Sequence, residues 1–243
     1  MVMDQPRCKT GIGELDNILK GGIPVGDTIL VVGTSGSGKT TMCMQFLANG
    51  AKVGEKGIFF TITEPLFKLT KNLQNYEFYD KYFIDSGITH LIDLRIICER
   101  MGLQADKYTF EDASALLDVL KDITNELKVK RLVIDSITAL CHRLPTKQLI
   151  RDFIFKLGSH LAAMDCTALL TSEVPPNQYK FSVYEIEEFI SDGIIFLGDI
   201  ERGGDFIRTL QVVKMRGTEH LRTKYAVDIS HRGLTLSPLL KTK

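Results

Sequence analysis

Gly33–Thr40 reads GTSGSGKT, and no other run in the chain restricts its fold as strongly. It matches G-x-x-x-x-G-K-[ST] at every fixed position. Such a loop turns its backbone N–H groups inward around phosphate oxygens, an approach that side chains at the glycines would block. It works between a strand and a helix, because the helix N-terminus adds partial positive charge. Both flanks agree: Thr28–Val32 (TILVV) reads as a buried strand and Lys39–Ala51 as a helix. Gly33, Thr34, Ser35, Gly36, Ser37, Gly38, Lys39 and Thr40 are therefore the candidate phosphate cradle. Lys39 is expected to reach the β and γ phosphates and to act in catalysis. The Thr40 hydroxyl is expected to ligate Mg²⁺, a hard cation that prefers oxygen. No N-K-x-D motif accompanies the loop, which favours ATP over GTP.

Apolar β-rich runs and helical patterns alternate after the loop. Gly57–Ile62, Thr89–Leu94, Leu132–Asp135 and Cys166–Thr171 read as strands; Leu66–Asn75, Glu111–Leu127 and Lys147–Met164 read as helices. Thr109 followed three residues later by Asp112 resembles a capping box. This alternation implies parallel strands joined by crossover helices. From about Gly193 the pattern changes, and Ile194–Leu197, Phe206–Lys214 and Tyr225–Ile229 read as antiparallel strands added to the sheet edge. The expected architecture is α/β: a central, mostly parallel sheet flanked by helices, with C-terminal antiparallel hairpin strands. With 243 residues and no linker or repeat, one domain spanning 1–243 is expected.

Ligands of an open parallel sheet bind beyond the carboxyl ends of its strands. Asp135 ends one strand and is the expected magnesium-side carboxylate. Glu64 ends another; Pro65 after it disfavours helical geometry and holds it extended at the rim. Glu64 is the expected general base for the attacking water. Ser172 and Glu173 close a third strand, where Ser172 is a candidate γ-phosphate sensor and a plain strand-end pair is the alternative. Further on, Lys214 and Arg216 in KMRGT fall on one face of a strand by alternation, which would make a two-pronged cationic grip for phosphate.

Composition narrows the partners. Lys+Arg and Asp+Glu both number 30, so no global field attracts nucleic acid or anionic membrane. The five cysteines are scattered and never form CxxC, which argues against a disulfide framework or zinc site. No apolar signal core or spanning run is present, so a cytoplasmic location without membrane attachment is expected.

Several blocks together resemble the KaiC family of the RecA superfamily. TGIGELDNILKGG (Thr10–Gly22) is similar to the segment that KaiC and RadA proteins carry ahead of the loop. GTSGSGKTTMCMQFLANG, GIFFTITE, LVIDS, LLTSE, EEFISDGIIFL and RTLQVVKMRGTEH follow in the family's order and spacing. The resemblance implies a RecA-like P-loop fold with ATP bound between subunits, commonly in a hexamer. It implies nucleotide contacts by Ser37, Gly38, Lys39, Thr40 and Thr41 of one subunit. From the adjacent subunit it implies contacts by Lys214, Met215, Arg216, Thr218 and His220. Asn75 matches a position beside the adenine. One departure stands out: family domains carry two adjacent glutamates after the second strand, and this chain has Thr63–Glu64. The resemblance therefore implies an ATPase of uncertain turnover, a homo-oligomer acting as a regulatory switch on a protein partner of unknown identity. The alternatives are a RadA-like accessory protein binding single-stranded DNA through Val174–Tyr184, with Tyr179, Phe181 and Tyr184 stacking bases, and a nucleotide-binding scaffold with little turnover.

Overall fold

A computed structural model describes residues 5–102, 109–176 and 180–239. In chain order it begins with β1 (Arg7–Cys8), α1 (Gly13–Ile18) and β2 (Ile23–Pro24), where β1 and β2 pair as a small antiparallel ribbon. The next elements are β3 (Thr28–Gly33), α2 (Lys39–Lys52), β4 (Gly57–Thr61), α3 (Leu66–Leu73), α4 (Lys81–Asp85), β5 (Thr89–Asp93) and α5 (Leu94–Arg100). They are followed by α6 (Phe110–Glu126), β6 (Arg131–Asp135), α7 (Ile137–Cys141), α8 (Lys147–Ala162), β7 (Thr167–Glu173) and α9 (Glu187–Ile190). The chain closes with β8 (Gly193–Arg202), β9 (Asp205–Met215), β10 (Lys224–Ser230) and β11 (Gly233–Pro238).

Among the described residues nine strands form one sheet in the order β11-β10-β9-β8-β3-β7-β6-β4-β5. The pairs from β8 through β3, β7, β6 and β4 to β5 are parallel, and β8–β9–β10–β11 are antiparallel. The central strands are buried on both faces, as their unbroken apolar runs require. On β3, Leu30 and Val32 face one core with α6 and α8, while Ile29 and Val31 face another with α1, α2 and α3. Ile150, Phe153, Ile154, Leu157 and Leu161 form the buried stripe of α8. The capping box of α6 is present: Asp112 N–H donates to Thr109 Oγ1 at 3.1 Å and Thr109 N–H to Asp112 Oδ2 at 2.9 Å. All five cysteines are reduced and buried. Among the described residues no helix is long and apolar enough to cross a membrane.

The sheet brings the loop after β3 and the ends of β6 and β7 to one rim. Strand β3 is flanked by β7 and β8, so the loop emerges at the centre of the sheet. Fixed register then places Gly33 beside Glu173 and Leu197. Gly33 must be glycine here, since a Cβ would lie 2.4 Å from the Leu197 carbonyl oxygen.

Candidate nucleotide site

The phosphate loop lies where the sequence places it. Gly36 and Gly38 adopt φ of +78° and +102°, a region that glycine enters without strain. Gly38 is the N-cap of α2 and provides no side-chain cap, and the first turn of α2 carries no acid. Helices α6, α7 and α8 are capped by Thr109, Ser136 and Thr146. The free N–H groups of α2 thus remain available to an anion. Ser37 is 2% exposed, and its Oγ has no partner among the described residues.

Lys39 is buried at 6% exposure and its ammonium donates to the carbonyls of Gly33 at 2.9 Å and Thr34 at 2.8 Å. An ammonium has three donors, so one is left. Glu173 Oε1 stands 4.0 Å away. Burial pushes the Lys39 pKa down, and the charges of Glu173 and Asp135 oppose that shift. Thr40 Oγ1 donates to Asp135 Oδ2 at 2.7 Å, and Thr171 Oγ1 donates to Asp135 Oδ1 at 2.6 Å. A hydroxyl and a carboxylate in contact are the donor set expected for a hard divalent cation. These residues fit a magnesium nucleotide: free helix N–H groups, a buried ammonium and paired oxygen donors meet at one rim.

The surrounding cleft is lined by Ser35, Gly36, Gly38, Lys39, Thr40, Thr41, Thr63, Tyr76, Asp135, Glu173 and Ile229. Thr41 Oγ1 lies 3.3 Å from the Tyr76 hydroxyl. Tyr76 stacks on Phe78 with ring centroids 5.0 Å apart, so the far wall is aromatic. Arg208 on β9 donates from Nε to the Gly36 carbonyl at 3.2 Å, putting a second cation at the mouth. Nothing in the sequence singled out Arg208, Tyr76 or Ile229 for this cleft. Arg208 and Ile229 arrive through the sheet order, which carries β9 and β10 back toward the loop, and Tyr76 arrives from the α3–α4 connection.

Several expected residues sit elsewhere. Thr63 faces the cleft, whereas Glu64 Oε1 accepts from Asn72 Nδ2 of α3 at 2.9 Å. The chain turns at this point, with Thr61 Oγ1 donating to the Glu64 carbonyl at 2.8 Å, so the residue after Thr63 is carried to the α3 side. Ser172 is fully buried and its Oγ pairs with Thr138 Oγ1 at 3.2 Å, which removes it from the rim. Asn75 is exposed beside Tyr76 and donates to the Asn72 carbonyl. Phe181 packs edge-on against Phe196, and Tyr184 against His142. Two of the three rings expected to stack bases are therefore packed within the protein, and Tyr179 lies outside the described residues.

The KMRGT run is at the opposite end of the molecule's central strand. Met215 pairs with Gly193, and Gly193 is in register with Ile29. Gly33 is four residues further along β3, about 13 Å at strand rise. Lys214 and Arg216 do not share a strand face, because β9 ends at Met215. Lys214 Nζ donates to the carbonyls of Glu188 at 3.0 Å and Ser191 at 2.7 Å. Burial, then the Arg216 charge, lowers its pKa. Arg216 Nη1 donates to Asp192 Oδ1 at 3.0 Å. Met215 is 5% exposed and packs over Gly193, so its side chain belongs to the core. Thr218 Oγ1 accepts from Arg7 Nη1 at 2.6 Å. His220 lines a groove with Glu14, Asn17 and Ile18 of α1. Nearby, burial and the Asp192 carboxylate push the Asp27 pKa up to about 6, against the opposing charges of Arg7 and Arg216.

A mostly parallel sheet with a glycine-rich loop at its centre, a buried lysine and a Thr–Asp pair at its rim defines a P-loop nucleotide-binding protein of RecA-like architecture. The profile of the family described as "ATPase: KaiC" matches residues 8–241. The chain belongs to this family. It is 33% identical over 235 residues to the circadian clock oscillator protein KaiC of Parathermosynechococcus lividus, covering 96% of this chain and 43% of that protein. It thus spans less than half the length of that relative. It is also 33% identical to UPF0273 protein PH0284 of Pyrococcus horikoshii, over 96% of this chain and 94% of that one. A crystal structure of the KaiC-like protein PH0186 from Pyrococcus horikoshii superposes with a TM-score of 0.84 at 32% identity, covering 96% of this chain and all of that one.

Proposed function

We propose that the chain is a slow magnesium-dependent ATPase whose nucleotide is shared between copies of the chain, hexameric by preference, and that nucleotide state sets a regulatory switch. The observation that carries this reading is the separation of the two cationic groups along β3. Lys39 closes one end of that strand, while Lys214 and Arg216 stand at the other. One chain cannot apply both to a single triphosphate, and a second copy supplying Lys214 and Arg216 can. A head-to-tail contact of this kind generates a ring when the rotation closes.

Within each chain, α2 and the loop amides hold the phosphate oxygens and Lys39 neutralises their charge. Thr40 and Asp135 would hold the magnesium, which when bound neutralises charge on the phosphates. Tyr76 and Ile229 give the cleft an apolar wall for a base. Turnover is slow because the carboxylate after Thr63 is directed to Asn72, which leaves Glu173, 4.0 Å from the Lys39 ammonium, as the carboxylate placed to activate water. ATP that binds only the assembled form favours assembly by mass action. Lys39→Ala should abolish both thermal protection by MgATP and ATP-dependent assembly in sedimentation. A Lys39→Ala protein that assembles and releases phosphate like wild type would overturn the proposal.

A further inference from the structure

The run Met215–Thr218 is a tight turn closed by Thr218 N–H donating to the Met215 carbonyl at 3.3 Å, with Gly217 at φ +63°. Arg216 is at its apex, with its side chain 58% exposed. An arginine at the tip of a surface turn carries large rotamer entropy, and orienting it on a partner would be costly. Here the turn is held from both sides. Arg216 N–H donates to the Asp192 carbonyl at 2.9 Å, and Arg216 Nη1 donates to Asp192 Oδ1 at 3.0 Å. Asp192 is itself fastened to the first residue of β3: its N–H donates to the Thr28 carbonyl at 2.7 Å, and its Oδ2 accepts from Thr28 N–H at 3.0 Å. On the other flank Arg7, in the β1–β2 ribbon, donates from Nη1 to Thr218 Oγ1 at 2.6 Å and to the Gly22 carbonyl at 3.4 Å.

We propose that Asp192 and Arg7 are positioning residues that preset the 216–218 turn, so that Arg216 meets the nucleotide of a neighbouring copy already oriented. This rests on the shared-site reading above. The contact geometry favours orientation over sequestration. Asp192 takes a single N–H of the guanidinium, which has five in a planar fork, and a bidentate pair would have occupied its edge. The fork is fixed and its remaining donors are left to an anion. Asp192 divides its two oxygens between β3 and Arg216, so the strand that ends in the phosphate loop of one copy also sets the arginine offered to the next.

The test is a double-substitution cycle on the full chain, reading by sedimentation the MgATP concentration for half-maximal assembly. Asp192→Asn keeps the shape and an acceptor for Thr28, and removes the charge that orients Arg216. It should raise the half-maximal concentration about tenfold in the otherwise wild-type chain. In an Arg216→Gln background the same change should add less than about twofold, because Asp192 acts through Arg216. Arg7→Gln loosens the turn from a different element and should shift assembly in the same direction, so the test survives should Asp192→Asn fold poorly. An additive effect of Asp192→Asn on top of Arg216→Gln, or no effect of either Asp192→Asn or Arg7→Gln while Arg216→Gln weakens assembly, would overturn the positioning role alone. Arg216→Gln without any effect would overturn the shared site itself.

Discussion

Asp135→Asn is the substitution whose consequences follow most directly from the geometry. The carboxylate is 9% exposed and accepts one hydroxyl on each oxygen, Thr171 at 2.6 Å and Thr40 at 2.7 Å. Asparagine keeps one acceptor and turns the other position into a donor facing a hydroxyl. Exchanging one charge-assisted bond for a neutral one costs about 1 kcal/mol, and losing the second costs about 2 kcal/mol. Relief of a buried negative charge offsets roughly 1 kcal/mol. The net loss is about 2 kcal/mol, or a fall of about 4–8 °C in the unfolding midpoint for a chain of this size. Calorimetric scans with and without ligand test both halves of the account. MgATP at a hundredfold excess over its Kd should add about 2.7 kcal/mol to the wild type, and EDTA should remove much of that gain. In Asp135→Asn, ATP should protect equally with and without magnesium. A variant that melts within about 1 °C of wild type and keeps full magnesium-dependent protection would refute the assignment of Asp135.

Other consequences concern acid–base behaviour and turnover. Asp27 has a folded-state pKa near 6, above its ordinary value, so the native state binds the extra proton and this group's contribution to stability falls as pH rises from about 4 to 6. Asp27→Asn should flatten that slope and raise stability at pH 7.5 by about 1 kcal/mol after solvent screening, as read from urea unfolding at several pH values; an unchanged slope would contradict it. Steady-state phosphate release should fall at least about tenfold in Glu173→Gln and less than about threefold in Glu64→Gln, since only Glu173 lines the cleft. The reverse order would return the general base to Glu64.

The strands from β3 to β10 and the helices α2, α3, α6 and α8 could be read from apolar runs and turn residues, because parallel strands buried on both faces leave little ambiguity, whereas the short helices α4, α5, α7 and α9 were not read. The loop at Gly33–Thr40 was equally plain, since a local backbone conformation is written locally in glycines. Strand β11 was missed: Gly233–Pro238 is short, ends in proline and half of it is exposed, so its apolar pattern is weak. Side-chain direction at strand ends was the harder problem. Alternation predicts facing only while a residue remains in the strand, and Glu64 and Arg216 both lie just past one, where a turn resets the direction. Arg208 and Tyr76 reach the cleft through the sheet order and the α3–α4 connection, which no spacing in the sequence encodes.

If each nucleotide is completed by a second copy of the chain, as proposed, two variants that lack different halves of the site should complement each other. Lys39→Ala lacks the loop cation and Arg216→Gln lacks the cation offered to a neighbour, so each alone should release little phosphate. Mixed in equal amounts and allowed to exchange, about one in four head-to-tail contacts would pair an intact loop with an intact arginine. The account predicts recovery of about a quarter of wild-type phosphate release. A mixture no more active than its separate components would contradict it.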